Sequence, residues 1–181
     1  CIGHNSNDAA NTTGVCAIGQ FALSSNTADF NTSVGYESLR YNTSGEHNIA
    51  VGKSALYSNT TGPKNIAIGV RALTANTTGE NNNAVGYQAL DANTTGSENC
   101  AFGQSALGAN TTADNNSAFG HNALVSNTTG ADNVAVGSVC LDANTTGDYN
   151  TAVGRSALGD NTTASSNTGM GYNALGANTT R

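Results

Sequence analysis

Apolar and polar positions along this chain follow a pattern that returns every seventeen residues. Two early glycines, Gly3 and Gly19, start the series at steps of sixteen. The glycines that continue it at steps of seventeen are Gly35, Gly52, Gly69, Gly86, Gly103, Gly120, Gly137, Gly154 and Gly171. A fixed short period is the signature of a solenoid, in which each coil buries its apolar side chains against the neighbouring coils.

Within one unit, Ile49 and Val51 alternate with smaller or polar neighbours, which is the period of a β-strand. No stretch carries apolar residues at helical spacing for two turns, and frequent Asn and Gly oppose a helix. Helix-pair repeats also need about 33 residues or more. We therefore expect an all-β fold, a parallel β-solenoid (β-roll) of about ten to eleven coils with two short strands each, over 1–181 as a single repeat array.

Two apolar rows are predicted to face each other inside the roll. The residues before the glycines form a pre-glycine row: Val34, Val51, Ile68, Val85, Phe102, Phe119, Val136, Val153 and Met170. The leucine row lies five residues later: Leu39, Leu56, Leu73, Leu90, Leu107, Leu124, Leu141, Leu158 and Leu175. Each buried leucine contributes about 2 kcal/mol to stability.

Two alanine rows adjoin these apolar rows. The first is Ala50, Ala67, Ala84, Ala101, Ala118, Ala135 and Ala152. The second is Ala55, Ala72, Ala89, Ala106, Ala123, Ala157 and Ala174. Because neighbours on a strand point to opposite faces, the alanines are expected to face outward. A long exposed alanine stripe is unusual for a monomer, so we expect further copies to pack there, as a trimer or a filament. The alternative is that alanine merely tolerates a surface position.

The Asn-Thr-Thr-Gly segment of each unit predicts a turn. Its asparagines and threonines are expected to stack as hydrogen-bonded ladders along the solenoid, and both glycines of each unit are expected to adopt positive φ. The turn asparagine row is Asn59, Asn76, Asn93, Asn110, Asn127, Asn144 and Asn161. The turn threonine row is Thr60, Thr77, Thr94, Thr111, Thr128, Thr145 and Thr162.

The run Ala-Val-Gly-Lys-Ser-Ala at 50–55 resembles the head repeats of trimeric autotransporter adhesins of the YadA type. The longer unit with Asn-Thr-Thr-Gly resembles repeat arrays in tail-fibre and surface-fibre proteins of phages and aquatic bacteria. The unit is longer than that of the adhesin heads, which lack the Asn-Thr-Thr turn. The resemblance implies a trimeric β-roll in a fibre that is extracellular, on a cell surface or on a virion. A cell-surface or carbohydrate receptor would be its partner.

Composition narrows the classes of function. Aromatic residues make up 6% of the chain, so there are too few large apolar side chains for an ordinary core. Charged residues make up 10%, which is too few for a solvated disordered chain. The net charge of -6 comes without a basic patch, so no nucleic-acid partner is expected. No window of about 20 apolar residues predicts a membrane span. The chain starts at Cys1 inside a repeat, so we expect it to be a fragment of a longer fibre protein.

No catalytic, cofactor or metal site is predicted. His4 and His121 lie about 34 Å apart by strand spacing, too far to share a metal. The carboxylates are scattered, and no pair suits glycoside hydrolysis. The cysteines Cys16, Cys100 and Cys140 are interpreted as small apolar fillers, with bonds between chains left open, and Cys1 as either a filler or a lipidated terminus. The Asn-Thr-Thr segments match glycosylation sequons, which cannot be modified if the asparagines point inward.

Three functions compete. A structural fibre segment, self-assembling and adhesive, explains the repeat and the scarce chemistry. An ice-binding solenoid is the alternative, because the threonine rows could form a regular array. An enzyme on a β-helix would need non-repetitive charged loops, so we expect that the chain is not an enzyme.

Overall fold

The computed structural model describes residues 2–7 and 12–179, which stack as coils of a β-solenoid. Ten parallel strands form one sheet in chain order, and none of the described residues is helical. The strands are β1 Cys16–Ile18, β2 Thr32–Val34, β3 Ile49–Val51, β4 Ile66–Ile68, β5 Asn83–Val85, β6 Cys100–Phe102, β7 Ser117–Phe119, β8 Val134–Val136, β9 Thr151–Val153 and β10 Thr168–Met170. The expected all-β solenoid of seventeen-residue coils is confirmed.

Each coil contributes one three-residue strand to this sheet, whereas two strands were expected. The chain after the strand makes two tight turns, in which the Ala55 amide donates to the Gly52 carbonyl (3.3 Å) and the Asn59 amide donates to the Leu56 carbonyl (3.2 Å). Leu56 has a φ of 51°, in the left-handed region, which interrupts extended backbone. The coils still pair on this side through main-chain hydrogen bonds, but they do not form a second sheet.

The leucine row forms the core. Every leucine of this row from Leu39 to Leu158 is fully buried, and Leu175 is half exposed. Each leucine is covered by the leucines of the coils on either side, so a narrow interior excludes water along its length.

Both alanine rows are also buried, apart from the half-buried Ala174, which corrects the expectation that they face outward. Gly169 occupies a first-row position, and a methyl group built there would lie 3.2 Å from Cγ of Leu158. The second row lies close by, since the thiol of Cys140, which occupies one of its positions, is 3.3 Å from the Ala152 carbonyl oxygen. The alanines therefore pack against the leucines of their own chain and cannot contact another copy.

The pre-glycine row lies on the surface, which corrects its placement in the core. Ile68 is 41% exposed and Phe102 is 39% exposed, while Val51 is half-buried. Because the central residue of each strand points inward, its two neighbours must point outward. A coil of seventeen residues leaves only a methyl-sized space opposite each leucine, so the bulkier side chains occupy the outer face.

The turn asparagine row is buried and forms a ladder. The Asn59 side-chain amide donates to Oδ1 of Asn42 (2.7 Å) and to the Gly62 carbonyl (2.9 Å). The same pair of bonds recurs along the rod, so each amide nitrogen donates to the coil before it and to its own turn. Oδ1 of Asn161, the last member of the row, is buried without a partner.

A second asparagine row, which was not singled out from the sequence, begins each coil. The Asn65 main-chain amide donates to Oδ1 of Asn48 (2.9 Å), and the Asn65 side chain donates to the Gly79 carbonyl (2.8 Å). Its fully buried members are Asn31, Asn48, Asn65, Asn82, Asn99, Asn116, Asn133 and Asn150. The two rows satisfy the polar backbone of the turn from inside the roll.

The turn threonines form a third ladder, in which the Thr60 hydroxyl donates to the Thr77 carbonyl of the next coil (3.0 Å). Gly52 has the expected positive φ, 136°. Gly62 does not, which corrects that expectation. It is small for another reason: a Cβ there would overlap the Gly79 carbonyl oxygen.

The sixteen-residue coil between Gly19 and Gly35 keeps this internal architecture. The Asn26 side chain donates to the Ala28 carbonyl (2.7 Å), as Asn59 does to Gly62. Ala28 therefore occupies the second-glycine position, and the missing residue is the exposed threonine before it.

Candidate interaction surfaces

The outer sheet face is a long surface on which apolar side chains predominate. It consists of the first and last residues of strands β1 to β10, and none of these twenty side chains is charged. The first residues are Cys16, Thr32, Ile49, Ile66, Asn83, Cys100, Ser117, Val134, Thr151 and Thr168. The last residues are Ile18 and the nine members of the pre-glycine row.

The outer sheet face is long and narrow. Nine inter-strand steps of about 4.8 Å give a length of about 43 Å, and three residues give a width of about 10 Å. Phe102 and Phe119 stack along it with ring centroids 5.3 Å apart. Its footprint, about 430 Å², is within the size range of the largest apolar patch on an ordinary monomer, a patch that is often functional.

Two of the cysteines lie on this face rather than in the interior. Cys16 is exposed and Cys100 is half-buried, which corrects their interpretation as fillers. Cys140 is buried among the alanines as a filler, and burial raises the pKa of its thiol to about 11. Cys1 lies outside the described residues.

A shallow groove with a volume of about 380 Å³ lies on the turns that follow strands β2 to β4. We call it the aromatic–cationic groove. Its lining residues are Glu37, Lys53, Ser54, Tyr57, Val70, Arg71 and Thr74. The sequence pattern did not single it out, because these residues occupy positions that vary from coil to coil.

Hydrogen bonds and ion pairs hold the side chains around the groove. The Tyr57 hydroxyl donates to the Tyr41 hydroxyl (3.4 Å), and this bond is the main reason that the pKa of Tyr57 is raised. Arg40 pairs with Glu37 and lies over the Phe21 ring, 4.6 Å from its centroid.

The far side of the groove carries a looser ion pair. Arg71 is 3.8 Å from the Asp91 carboxylate, a distance that leaves its guanidinium free to contact a further anion. Partial burial raises the pKa of Asp91, although Arg71 opposes this shift.

The exposed threonine row follows the turn threonine row by one residue. Its members are Thr61, Thr78, Thr95, Thr112, Thr129, Thr146 and Thr163. In the turn threonine row itself, the hydroxyls from Thr60 to Thr145 donate to main-chain carbonyls. Only one of the two threonines in each of these coils therefore presents a free hydroxyl to solvent.

The structure also shows where the histidines and the sequon asparagines lie. The three histidines are exposed, and residues 2–7 and 12–179 contain no cluster of three or more His, Cys, Asp or Glu side chains that could hold a metal ion. The sequon asparagines of the turn asparagine row, from Asn59 to Asn161, are fully buried, so a glycosyltransferase cannot reach their side chains in the folded coil. Over the same residues, no helix is long and apolar enough to cross a bilayer.

Comparisons with protein-family models, with curated proteins and with solved structures gave no match for this chain.

Proposed function

We propose that this chain is a structural repeat segment of an extracellular fibre, a non-enzymatic shaft or head that associates side by side with further copies through the outer sheet face. The observation that carries the proposal is the charge-free face along all ten strands, in which the last residue of every strand is apolar. It takes the place of the alanine rows as the surface for self-association. The resemblance to adhesin heads and tail fibres supports the extracellular setting.

A second copy of the chain fits this face better than an unrelated partner. The outward side chains repeat at the strand spacing of about 4.8 Å, so only a partner with the same period makes equivalent contacts at every coil. The net charge of -6 would repel identical copies, but no charge lies on the face itself. The copies can therefore approach without burying an unpaired carboxylate.

The area of the outer sheet face determines how strongly two copies are expected to associate. Its footprint of about 430 Å² is roughly half of the 800 Å² that each partner contributes to a standard interface. We therefore expect a segment of this length to associate weakly and reversibly, and longer arrays of the same coil to associate more tightly.

Lysines placed on the face should abolish this association. Phe102→Lys combined with Val136→Lys puts two charges into the contact, and we expect the double variant to sediment as a monomer where the unmodified chain shows concentration-dependent association. The matched control is Thr112→Lys with Thr146→Lys, which adds equal charge to the exposed threonine row of the same coils.

Sedimentation velocity over a range of concentrations makes this comparison, with circular dichroism as the check that both variants fold. Lateral association through the sheet face is wrong if the unmodified chain stays monomeric, or if the control dissociates equally. Electron microscopy of the parent assembly tests the fibre itself, which should appear as a continuous thin shaft.

Ice binding is the second candidate, supported by the regular spacing of the exposed threonine row. The engaged hydroxyls of the turn threonine row weaken it, because they remove half of the array from contact with water. Thermal hysteresis at millimolar protein distinguishes the two: a fibre segment gives none, and an ice-binding protein depresses the freezing point.

A further inference from the structure

The aromatic–cationic groove breaks the repeat. Three of the six Lys and Arg residues and three of the six tyrosines lie on this side of three successive coils, at Arg40, Lys53, Arg71, Tyr36, Tyr41 and Tyr57. Later coils place small residues such as Gly108 and Ala109 at the positions of Tyr57 and Ser58. The other coils fold without large side chains at these positions, so the cluster is not required for stacking and points to a separate role.

Tyr57 gives the groove an aromatic wall of fixed orientation. Its ring packs edge-on against Tyr41, with centroids 5.0 Å apart, and its hydroxyl is tied to the same residue. A phenol ring held in this way offers an apolar face to a flat ligand with little loss of side-chain entropy on binding.

Cations border the same wall. Lys53 forms no ion pair within the described part of the chain, and its ammonium lies 6.0 Å from the centroid of the Tyr36 ring. Arg71 is held only loosely by Asp91. Glu37 is committed to Arg40. The groove is thus a locally cationic site on a chain whose net charge is -6.

The remaining lining residues are polar and small. The single hydrogen of the Thr74 hydroxyl is shared between the carbonyls of Arg71 (2.8 Å) and Ser54 (3.2 Å), so its oxygen lone pairs are left to accept from a ligand. A shallow site with one aromatic face, hydroxyl groups and free cations matches a ring that has an apolar face, hydroxyls and one carboxylate. The volume of about 380 Å³ is at the small end of ligand sites.

We infer that the aromatic–cationic groove binds a carboxylate-bearing sugar, with the pyranose ring against Tyr57 and the carboxylate between Lys53 and Arg71. Such sugars occur as uronates and as sialic acids, which share this chemistry. The site lies on the turns and not on the outer sheet face, so its occupancy does not require lateral association. It would make the segment adhesive towards acidic glycans.

Titration of the full chain with D-glucuronate and with N-acetylneuraminate, followed by ligand-observed NMR, tests the site. We expect saturable binding of at least one of them, weaker binding of D-glucose, which lacks the carboxylate, and none of acetate, which lacks the ring. Lys53→Gln should weaken binding about tenfold, because a charge-assisted contact is lost.

The matched control is Arg155→Gln, which removes a cation from the position equivalent to Lys53 in a coil outside the groove. It should leave binding unchanged. The inference is overturned if neither sugar binds, if acetate binds as well as the sugars, if an oligoglutamate peptide binds more tightly than either sugar, or if Arg155→Gln weakens binding equally. None of these results would alter the sedimentation behaviour from which lateral association is judged.

Discussion

Asparagine is the residue on which the interior of this rod depends. A buried side-chain amide is costly unless both its donors and its acceptor are satisfied. Here the amide nitrogen of Asn93 donates to Oδ1 of Asn76 (2.9 Å) and to the Gly96 carbonyl (2.9 Å), and its Oδ1 accepts from Asn110 (2.9 Å). Because identical asparagines are stacked, the same hydrogen bonds recur from one coil to the next.

Replacing one such asparagine by aspartate should be severe. Asn93→Asp removes both donors and sets a carboxylate against two oxygens, so we expect a loss of about 3 kcal/mol or more at neutral pH. Burial should raise the pKa of the new carboxyl in the folded state, so the loss should be smallest in acid, should grow as the pH rises from the ordinary aspartate pKa to this raised value, and should level off above it. Urea unfolding at several pH values measures it.

The control for this substitution is Asn115→Asp, the same change at an exposed position. It should alter the free energy of unfolding by less than about 0.5 kcal/mol. Equal losses for the two variants would mean that the ladder contributes nothing specific to stability.

At the scale of the element, the coil tolerates change in some places only. The short coil shows where: it lacks an exposed threonine yet keeps both asparagine rows, with Asn42 donating to Asn26 (2.7 Å) and Asn31 donating to Gly45 (2.8 Å). The turns around the leucine should not tolerate a missing residue, because the residues on both sides of Leu39 form hydrogen bonds within the turn or to a neighbouring coil.

Two single-residue deletions in the same coil separate these regions. Deleting Thr112, which precedes Ala113, recreates the short turn and should leave the melting temperature nearly unchanged. Deleting Gly108, between Leu107 and Asn110, should displace the turn asparagine from its ladder and cause local unfolding. Thermal melts and hydrogen exchange of the flanking strands measure both, and similar effects of the two deletions would contradict this account.

The sequence predicted the coil but not its orientation. The period and the alternation around Val51 were sufficient for a strand, and the leucine row was correctly expected inside. Side-chain size favoured Val51 over Ala50 for the core, but the coil is so narrow in cross-section that Ala50 points inward and Val51 outward. The width of the coil depends on how tightly the turns at Leu56 close, and the sequence pattern does not show this.

The groove was missed for a different reason. Alignment of the repeats draws attention to positions that recur, whereas Lys53 and Tyr57 occupy positions that vary. Their departure from the later coils, where Gly108 stands at the position of Tyr57, was visible in the sequence. Only the structure shows that Lys53 and Tyr57 of one coil line the groove together with Arg71 of the next coil.

At the scale of the whole molecule, length and lateral contact increase together. Inserting a second copy of residues 65–115 after residue 115 keeps the repeat in register and adds three coils. We expect the rod to lengthen by about 14 Å and the sheet face to grow in proportion. Small-angle scattering should show the added length, and sedimentation should show tighter association.

The matched control carries Val85→Lys and Phe102→Lys in the inserted copy only. It should lengthen the rod equally without strengthening association. Tighter association of this control would place the contact elsewhere on the molecule.

The ladders between coils also determine how such a shaft bears load. Main-chain bonds such as Leu56 to Ala72 (3.0 Å), together with the asparagine bonds, join one coil to the next along the axis. Coils under tension are therefore links in series, and each carries the full pull. Adding coils lengthens the shaft but does not raise the force at which it breaks, because that force is set by the weakest junction between two coils.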